Sequence, residues 1–159
     1  MSLADRVRKA KRVYLAGNGG SYSNAIHIQN DLIACGIKAF TLDLATLTAT
    51  ANDYGYEFVF SNWLEVVGEP GDLLIVFSGS GKSKNILNAI EVAKTIGMDV
   101  EKVFGAELGQ NMQEAEEYQI VFGHQLMREL RNTSKRNTSN FPPGILGEYR
   151  VGIGEKGME

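Results

Sequence analysis

The segment DLLIVFSGSGKS, residues 72–83, contains the strongest structural signal in this 159-residue sequence. Its first half is apolar at consecutive positions, which is typical of a strand buried on both faces of a parallel sheet. Its second half is a loop of three serines, two glycines and a lysine, and a helical pattern follows to about residue 96. The order of strand, glycine-rich loop and helix predicts one unit of an α/β fold.

The same order occurs near the start of the chain. Residues 12–16 form a short apolar run, the glycine loop GNGG follows at 17–20, and a helical pattern continues from Ser21 to about residue 34. The remaining elements are predicted as strands at 38–42 and 100–104 and helices at 46–52, 57–67 and 113–130. Strands that alternate with helices predict an α/β fold with a mainly parallel sheet.

The length and composition predict one domain of ordinary size. Hydrophobic residues make up 43% and charged residues 22% of the chain, which is normal for a globular protein. We assign residues 1–131 to this domain. Residues 132–159, which include Pro142, Pro143 and scattered glycines, are predicted to form an extended tail.

The charge and cysteine content exclude several classes of protein. The net charge of -3 disfavours a nucleic-acid binder that works by neutralising phosphates. The single cysteine, Cys35, cannot form an internal disulfide. We find no apolar run long enough for a signal-peptide core or a membrane span. We therefore expect a cytoplasmic protein with no nucleic-acid and no membrane partner.

Both glycine-containing loops are candidate anion sites. Each lies where the carboxyl end of a strand meets the amino end of a helix, where free amides and the helix dipole attract anions. The phosphate of a sugar is a better explanation of the paired loops than two simple turns, since serine hydroxyls add further donors. The candidate binding residues are Asn18, Gly19, Gly20, Ser21, Ser78, Gly79, Ser80 and Ser83.

The serine loop is not a nucleotide-binding P-loop. Gly81-Lys82-Ser83 matches the end of that motif, but Val76 stands where the motif requires a glycine. ATP or GTP hydrolysis is therefore disfavoured.

The only two histidines each lie on a predicted helix with a carboxylate at helical spacing. His27 and Asp31 are four residues apart and share one helix face. Glu116 and His124 are eight apart, a little over two turns, and face broadly the same way. The four residues could bind a divalent metal such as zinc, or they could act as a carboxylate base with a histidine acid.

In combination these motifs resemble the sugar isomerase (SIS) domain of bacterial phosphoheptose isomerases. The residues that carry the resemblance are AGNGGS at 16–21, AIH at 25–27, DL at 31–32, AND at 51–53 and SGSGKSKNI at 78–86. It covers residues 13–97 and resumes at 113–130. It implies a flavodoxin-like three-layer α/β/α fold and a homotetramer with the active site between subunits. It also implies interconversion of sedoheptulose 7-phosphate and D-glycero-D-manno-heptose 7-phosphate, in heptose biosynthesis for lipopolysaccharide.

The resemblance also implies roles for single residues. The sugar phosphate would bind Ser78, Ser80 and Ser83, with Gly79 where many relatives have threonine. Asn18 and Ser21 would contact the sugar or the phosphate. Asn52 and Asp53 would line the substrate cavity. His27 matches a ligand of a divalent metal, zinc. Asp31 falls where relatives carry a glutamate that is base and ligand, Glu116 where they commonly carry a glutamine ligand, and His124 matches the acid and ligand.

Two departures from the family pattern leave alternatives open. Asp31 is one methylene shorter than glutamate, so either the helices sit closer together or the isomerase activity is weakened or altered. The segment 99–111 is shorter than in the family, as in a compact variant or in a chain with residues missing.

A non-catalytic phosphosugar-binding module or adaptor for a protein partner is the rival hypothesis. Such a module needs the serine loop but not the His27, Asp31, Glu116 and His124 set.

Overall fold

The computed structural model describes residues 1–105 and 111–134. Strands and helices alternate through most of this part of the chain. In chain order they are α1 (Leu3–Lys9), β1 (Val13–Ala16), α2 (Gly20–Ala34), β2 (Ala39–Thr41), α3 (Leu44–Tyr54), a 3-10 turn (Tyr56–Phe58), α4 (Val59–Val67), β3 (Leu73–Ser78), α5 (Lys84–Ile96), β4 (Asp99–Phe104) and α6 (Met112–Ser134).

The strands form one parallel sheet in the order β2-β1-β3-β4. The strand predicted from residues 72–77 is β3, and it pairs with β1 on one side and β4 on the other. All six of its residues are buried. The consecutive apolar positions therefore reflect a central strand covered on both faces, as the sequence predicted.

Alternate residues of β3 belong to two different cores. Ile75 lies in a core formed with α1, α2 and α6 on one face of the sheet. Leu74 and Val76 lie in a second core formed with α4 and α5 on the other face. Because successive side chains of a strand point to opposite faces, one strand contributes to both layers. The predicted three-layer α/β/α fold is confirmed.

The parallel pairing of β1 with β3 determines where the candidate site lies. Ala16 at the end of β1 is in register with Val76 near the end of β3. The loops that follow these two strands therefore leave the sheet at the same edge, side by side. This is the edge at which open α/β sheets bind ligands.

The last helix is longer than predicted. It spans Met112–Ser134, so residues 132–134 belong to α6 and not to a tail. A buried stripe that includes Ala115, Leu126 and Leu130 packs much of the helix against the rest of the domain. The proposed tail from residue 135 lies outside the described residues, and the division into a domain and a tail stays a prediction.

The connection between α5 and α6 contains one strand, β4, within residues 1–105 and 111–134. The shortness noted for residues 99–111 falls partly on 106–110, which are outside the described residues. Among the helices of the described part, none is both long and apolar enough to cross a membrane.

We expect truncation of the central strand to destabilise the whole domain. Leu74→Ala should lower the free energy of unfolding by about 2–5 kcal/mol, because it leaves a cavity in a close-packed core. Val66→Ala is the control, since Val66 on α4 is 84% exposed, and it should change stability by about 0.5 kcal/mol or less. Urea unfolding followed by circular dichroism measures both; equal losses would contradict the central position of β3.

Candidate functional site

Three side chains from α2 and α6 converge on one point. The Nε2 atoms of His27 and His124 lie 3.0 Å apart. The Oδ2 atom of Asp31 lies 3.5 Å from Nε2 of His27 and 3.8 Å from Nε2 of His124. The predicted sharing of one site by these residues of two distant segments is therefore seen in the structure.

Two amide side chains hold α6 in register against α2. Asn24 donates from Nδ2 to the carbonyl oxygen of Glu116 at 2.9 Å and to Oε1 of Gln119 at 3.1 Å. Gln119, which is fully buried, donates from Nε2 to Oγ of Ser21 at 3.0 Å. Neither Asn24 nor Gln119 was predicted from the sequence. For Gln119, an amide within the apolar stripe of a helix is the signal that could have indicated it.

The three converging residues fit a divalent cation. With zinc-to-nitrogen distances of 2.0–2.1 Å, tetrahedral ligand atoms are about 3.3 Å apart, and the observed separations of 3.0–3.8 Å bracket that value. Oδ2 of Asp31 is buried and makes no hydrogen bond to any described residue. Such an atom is costly unless a cation or donor satisfies it. His27 is 50% and His124 39% exposed at the side chain, which leaves the site open to a substrate.

Glu116 lies away from this group. Eight residues of helix separate it from His124, about 12 Å along the axis. Its carboxylate rests over Gly20 at the amino end of α2, where an added Cβ on the glycine would overlap it. The positive end of the helix dipole stabilises a carboxylate there. In the part of the chain that the structure describes, the metal-type group contains His27, Asp31 and His124 and not Glu116.

The two predicted anion loops enclose a small cavity of about 50 Å³. Six of the eight predicted loop residues line it, together with two residues that sequence analysis missed, Phe77 and Met112. The lining residues are Asn18, Ser21, Phe77, Ser78, Gly79, Ser80, Ser83 and Met112. The N-cap residues of the two helices, Gly19 and Ser83, make no side-chain capping bond. Neither helix terminus is therefore occupied by its own cap.

The serine loop is shaped by its own hydroxyl groups. Oγ of Ser78 accepts from the amide of Gly81 at 3.0 Å, and Oγ of Ser80 accepts from the amide of Lys82 at 3.2 Å. Gly81 has a φ of +66°, a conformation that side chains rarely adopt. These bonds curl the loop so that its residues surround the cavity.

An amide pair joins the first loop to the start of α5, directly after the serine loop. Asn18 donates from Nδ2 to Oδ1 of Asn85 at 3.0 Å, and Asn85 donates from Nδ2 to Oδ1 of Asn18 at 2.8 Å. The hydroxyl of Tyr56 also donates to Oδ1 of Asn18 at 2.8 Å. Asn85 is buried and Tyr56 follows α3, so three segments meet at Asn18. Neither partner was singled out from the sequence as a site residue.

The glycine at position 79 makes room for Met112. A Cβ on Gly79 would overlap the sulfur of Met112 and would lie 2.7 Å from its Cε atom. The side chain of Met112 therefore covers the position where many family members carry threonine. One wall of the cavity is apolar as a result.

Asn52 and Asp53 do not line this cavity. They lie in the last turn of α3, where Nδ2 of Asn52 donates to Oδ1 of Asp53 at 2.9 Å. Both residues are exposed, and no residue of α3 is buried. Their predicted contact with substrate stays a prediction.

Comparison with known proteins identifies the family. The SIS domain profile matches residues 1–103. The chain belongs to the SIS domain family. A phosphoheptose isomerase of Akkermansia muciniphila is 40% identical over 74% of this chain and 66% of its own length. One from Histophilus somni is 40% identical over 68% of this chain and 59% of its own length. The resemblance inferred from the motifs is confirmed.

A solved structure agrees with the fold of this SIS domain. The phosphoheptose isomerase from Francisella tularensis superimposes with a TM-score of 0.73 at 27% identity, covering 81% of this chain and 82% of that one. In the sequence alignments, the chain spans 66% and 59% of the length of the two curated relatives.

We expect the cation site to depend on Asp31 and not on Glu116. Asp31→Asn should weaken the binding of Co²⁺ or Zn²⁺ by at least about tenfold, because the substitution removes the charged ligand from the cluster. Glu116→Gln, which removes one negative charge at the amino end of α2, is the matched control and should retain one metal per chain. Isothermal titration with each metal measures both affinities. A Glu116→Gln variant that loses the metal would show that the glutamate is a ligand.

Proposed function

We propose that this SIS domain is a phosphosugar aldose–ketose isomerase that interconverts sedoheptulose 7-phosphate and D-glycero-D-manno-heptose 7-phosphate. The observation that carries the proposal is that α2 contributes residues both to an anion cavity and to a His-Asp-His cluster. Ser21 at the cavity and His27 at the cluster are six residues apart on α2, about 9 Å along the helix axis. That separation suits a ligand with a phosphate at one end and a carbonyl carbon at the other.

The serine loop is the proposed phosphate site. Hydroxyls of Ser80 and Ser83 and the uncapped amino end of α5 offer donors to the phosphate oxygens. Asn18, held by Asn85 and Tyr56, lies between the phosphate site and the rest of the substrate. The names of the curated relatives, which are phosphoheptose isomerases, support this substrate class.

Asp31 is the proposed base and His124 the proposed acid. From the ketose, the carboxylate of Asp31 removes a proton from C1 while His124 gives a proton to the oxygen on C2, which forms an enediol. The carboxylic acid then returns its proton to C2, and the imidazole takes the proton of the C1 hydroxyl. Atoms and electrons balance, and both side chains end in their starting states.

The ligand set suits zinc. His27, Asp31 and His124 would hold the ion, and it would supply polarisation of the carbonyl and hydroxyl oxygens. Imidazole nitrogens with one carboxylate oxygen and an open position are the donor set of catalytic zinc sites. We assign Glu116 to the amino end of α2 and not to the ligand set.

We also propose that several copies of the chain assemble, as a tetramer, and that the active site is completed between them. The absence of any buried residue on α3 supports this, since Leu44 and Tyr54 are 71% and 67% exposed in one chain. Asn52 and Asp53 of α3 would then meet substrate held by another copy. We place the protein in the cytoplasm, in heptose biosynthesis for lipopolysaccharide.

The activity test compares the protein with variants at the two proposed centres. With zinc supplied, we expect the protein to convert sedoheptulose 7-phosphate to the aldose. His124→Ala should reduce kcat by about 100-fold or more, since it removes a general acid. Ser80→Ala should mainly raise KM because it removes a hydroxyl of the phosphate site. A coupled assay for the aldose product gives both constants.

Gln125→Ala, an exposed change on the same helix as His124, is the control and should leave kcat and KM unchanged. No turnover of any five- to seven-carbon sugar phosphate, with or without zinc, would contradict the enzyme. Binding of sugar phosphates without turnover would instead favour the regulatory module.

A further inference from the structure

Gly123 occupies an unusual place in the middle of α6, directly before His124. Glycine in a helix interior is unfavourable relative to alanine, so such a position calls for a packing reason. Here an added Cβ would overlap Cγ1 of Ile28 and would lie 2.7 Å from its Cδ1 atom. The glycine therefore marks a close approach of α6 to α2.

Ile28, the residue of α2 in this contact, has no room to move away from Gly123. Ile28 follows His27 on α2 and is fully buried. It packs in the core between α2, α6 and the sheet, with Leu32 and Leu126 among its cluster. Close-packed protein cores relax only partly around a larger side chain. A larger residue at position 123 would therefore move α6.

The separation of the two helices sets two of the three donor distances in the cluster. His27 and Asp31 both lie on α2, so their distance of 3.5 Å is internal to one helix. The distances of His124 to His27, 3.0 Å, and to Asp31, 3.8 Å, both cross from α6 to α2. The second of these already exceeds the roughly 3.3 Å expected between tetrahedral zinc ligands.

We propose that Gly123 is a positioning residue that brings α6 close enough for the short Asp31 side chain to share a cation with His124. The inference rests on the proposed metal site. To bring a Cβ at position 123 from 2.7 Å to ordinary contact with Cδ1 of Ile28, about 3.5–4.0 Å, α6 must retreat by roughly 1 Å or more, because Cγ1 of Ile28 lies nearer still. The gap between His124 and Asp31 then becomes too wide for one ion.

The test uses Co²⁺, whose absorption spectrum reports tetrahedral coordination, with Zn²⁺ competition for the affinity. Gly123→Ala should weaken Co²⁺ binding by about 10- to 100-fold, as for changes that misplace a ligand. Ile28→Ala removes the atoms that an added Cβ would meet. The double variant, Gly123→Ala with Ile28→Ala, should therefore recover the affinity to within about threefold of the original protein and restore the spectrum.

Ile28→Ala alone and Gln125→Ala on the outer face of α6 serve as controls. Ile28→Ala should lower the unfolding midpoint and leave Co²⁺ affinity within about threefold, since it keeps the helices close. Circular dichroism and urea unfolding show whether each variant is folded. Rescue of the spectrum by the double variant is an effect that a loss of stability alone would not produce.

Each outcome decides between the two proposals. If Gly123→Ala binds Co²⁺ as tightly as the original protein, the positioning role is wrong and the proposed isomerase is unaffected. If the double variant is no better than Gly123→Ala, the contact with Ile28 does not set the spacing and the inference also fails. If the original protein binds neither Co²⁺ nor Zn²⁺, the metal site fails first and the positioning role fails with it.

Discussion

The burial of β3 on both faces is the constraint on which the other features depend. A strand whose alternate residues belong to two cores must lie in the middle of a sheet covered by helices. Its parallel pairing with β1 then places the ends of both strands at one edge. The glycine loop and the serine loop, 60 residues apart in sequence, meet there because their strands do. Reciprocal hydrogen bonds join Asn18 of the first loop to Asn85 at the start of α5, directly after the serine loop.

One helix, α2, connects the two chemical centres of the site. Its amino end faces the anion cavity, and two turns later it presents His27 and Asp31. Neither centre is complete on α2 alone. The cavity needs the serine loop, and the cluster needs His124 from α6. The side-chain amides of Asn24 and of the buried Gln119 keep α6 in register against α2, so they position the cluster without taking part in it.

The carboxylate of Glu116 affects where an anion can bind near α2. The carboxylate of Glu116 rests against Gly20 at the positive end of this helix, where a bound anion would otherwise be stabilised. The serine loop contains Lys82 and no acidic residue between positions 78 and 83, so it suits the proposed phosphate better than this spot does. Met112 packs over Gly79 on the same side and makes the cavity smaller and partly apolar. Both residues come from the first turns of α6.

Local signals in the sequence predict the class of fold, the central strand, the two loops and the pairing of His27 with Asp31. Consecutive apolar residues, glycine loops and four-residue helical spacing do not depend on distant contacts. Only the packing of α6 against α2 brings His124 to His27 and Asp31 and leaves Glu116 apart. Eight residues along a helix differ by about 12 Å in height and by roughly 80° in direction. Only the tertiary structure shows that Asn85, Gln119 and Gly123 contact residues of the site or of its supporting helix, because the partner of each lies in a different segment. Spacing along one helix predicts which side chains share a face of that helix. Only the packing of two helices sets the distance between a side chain on one and a side chain on the other.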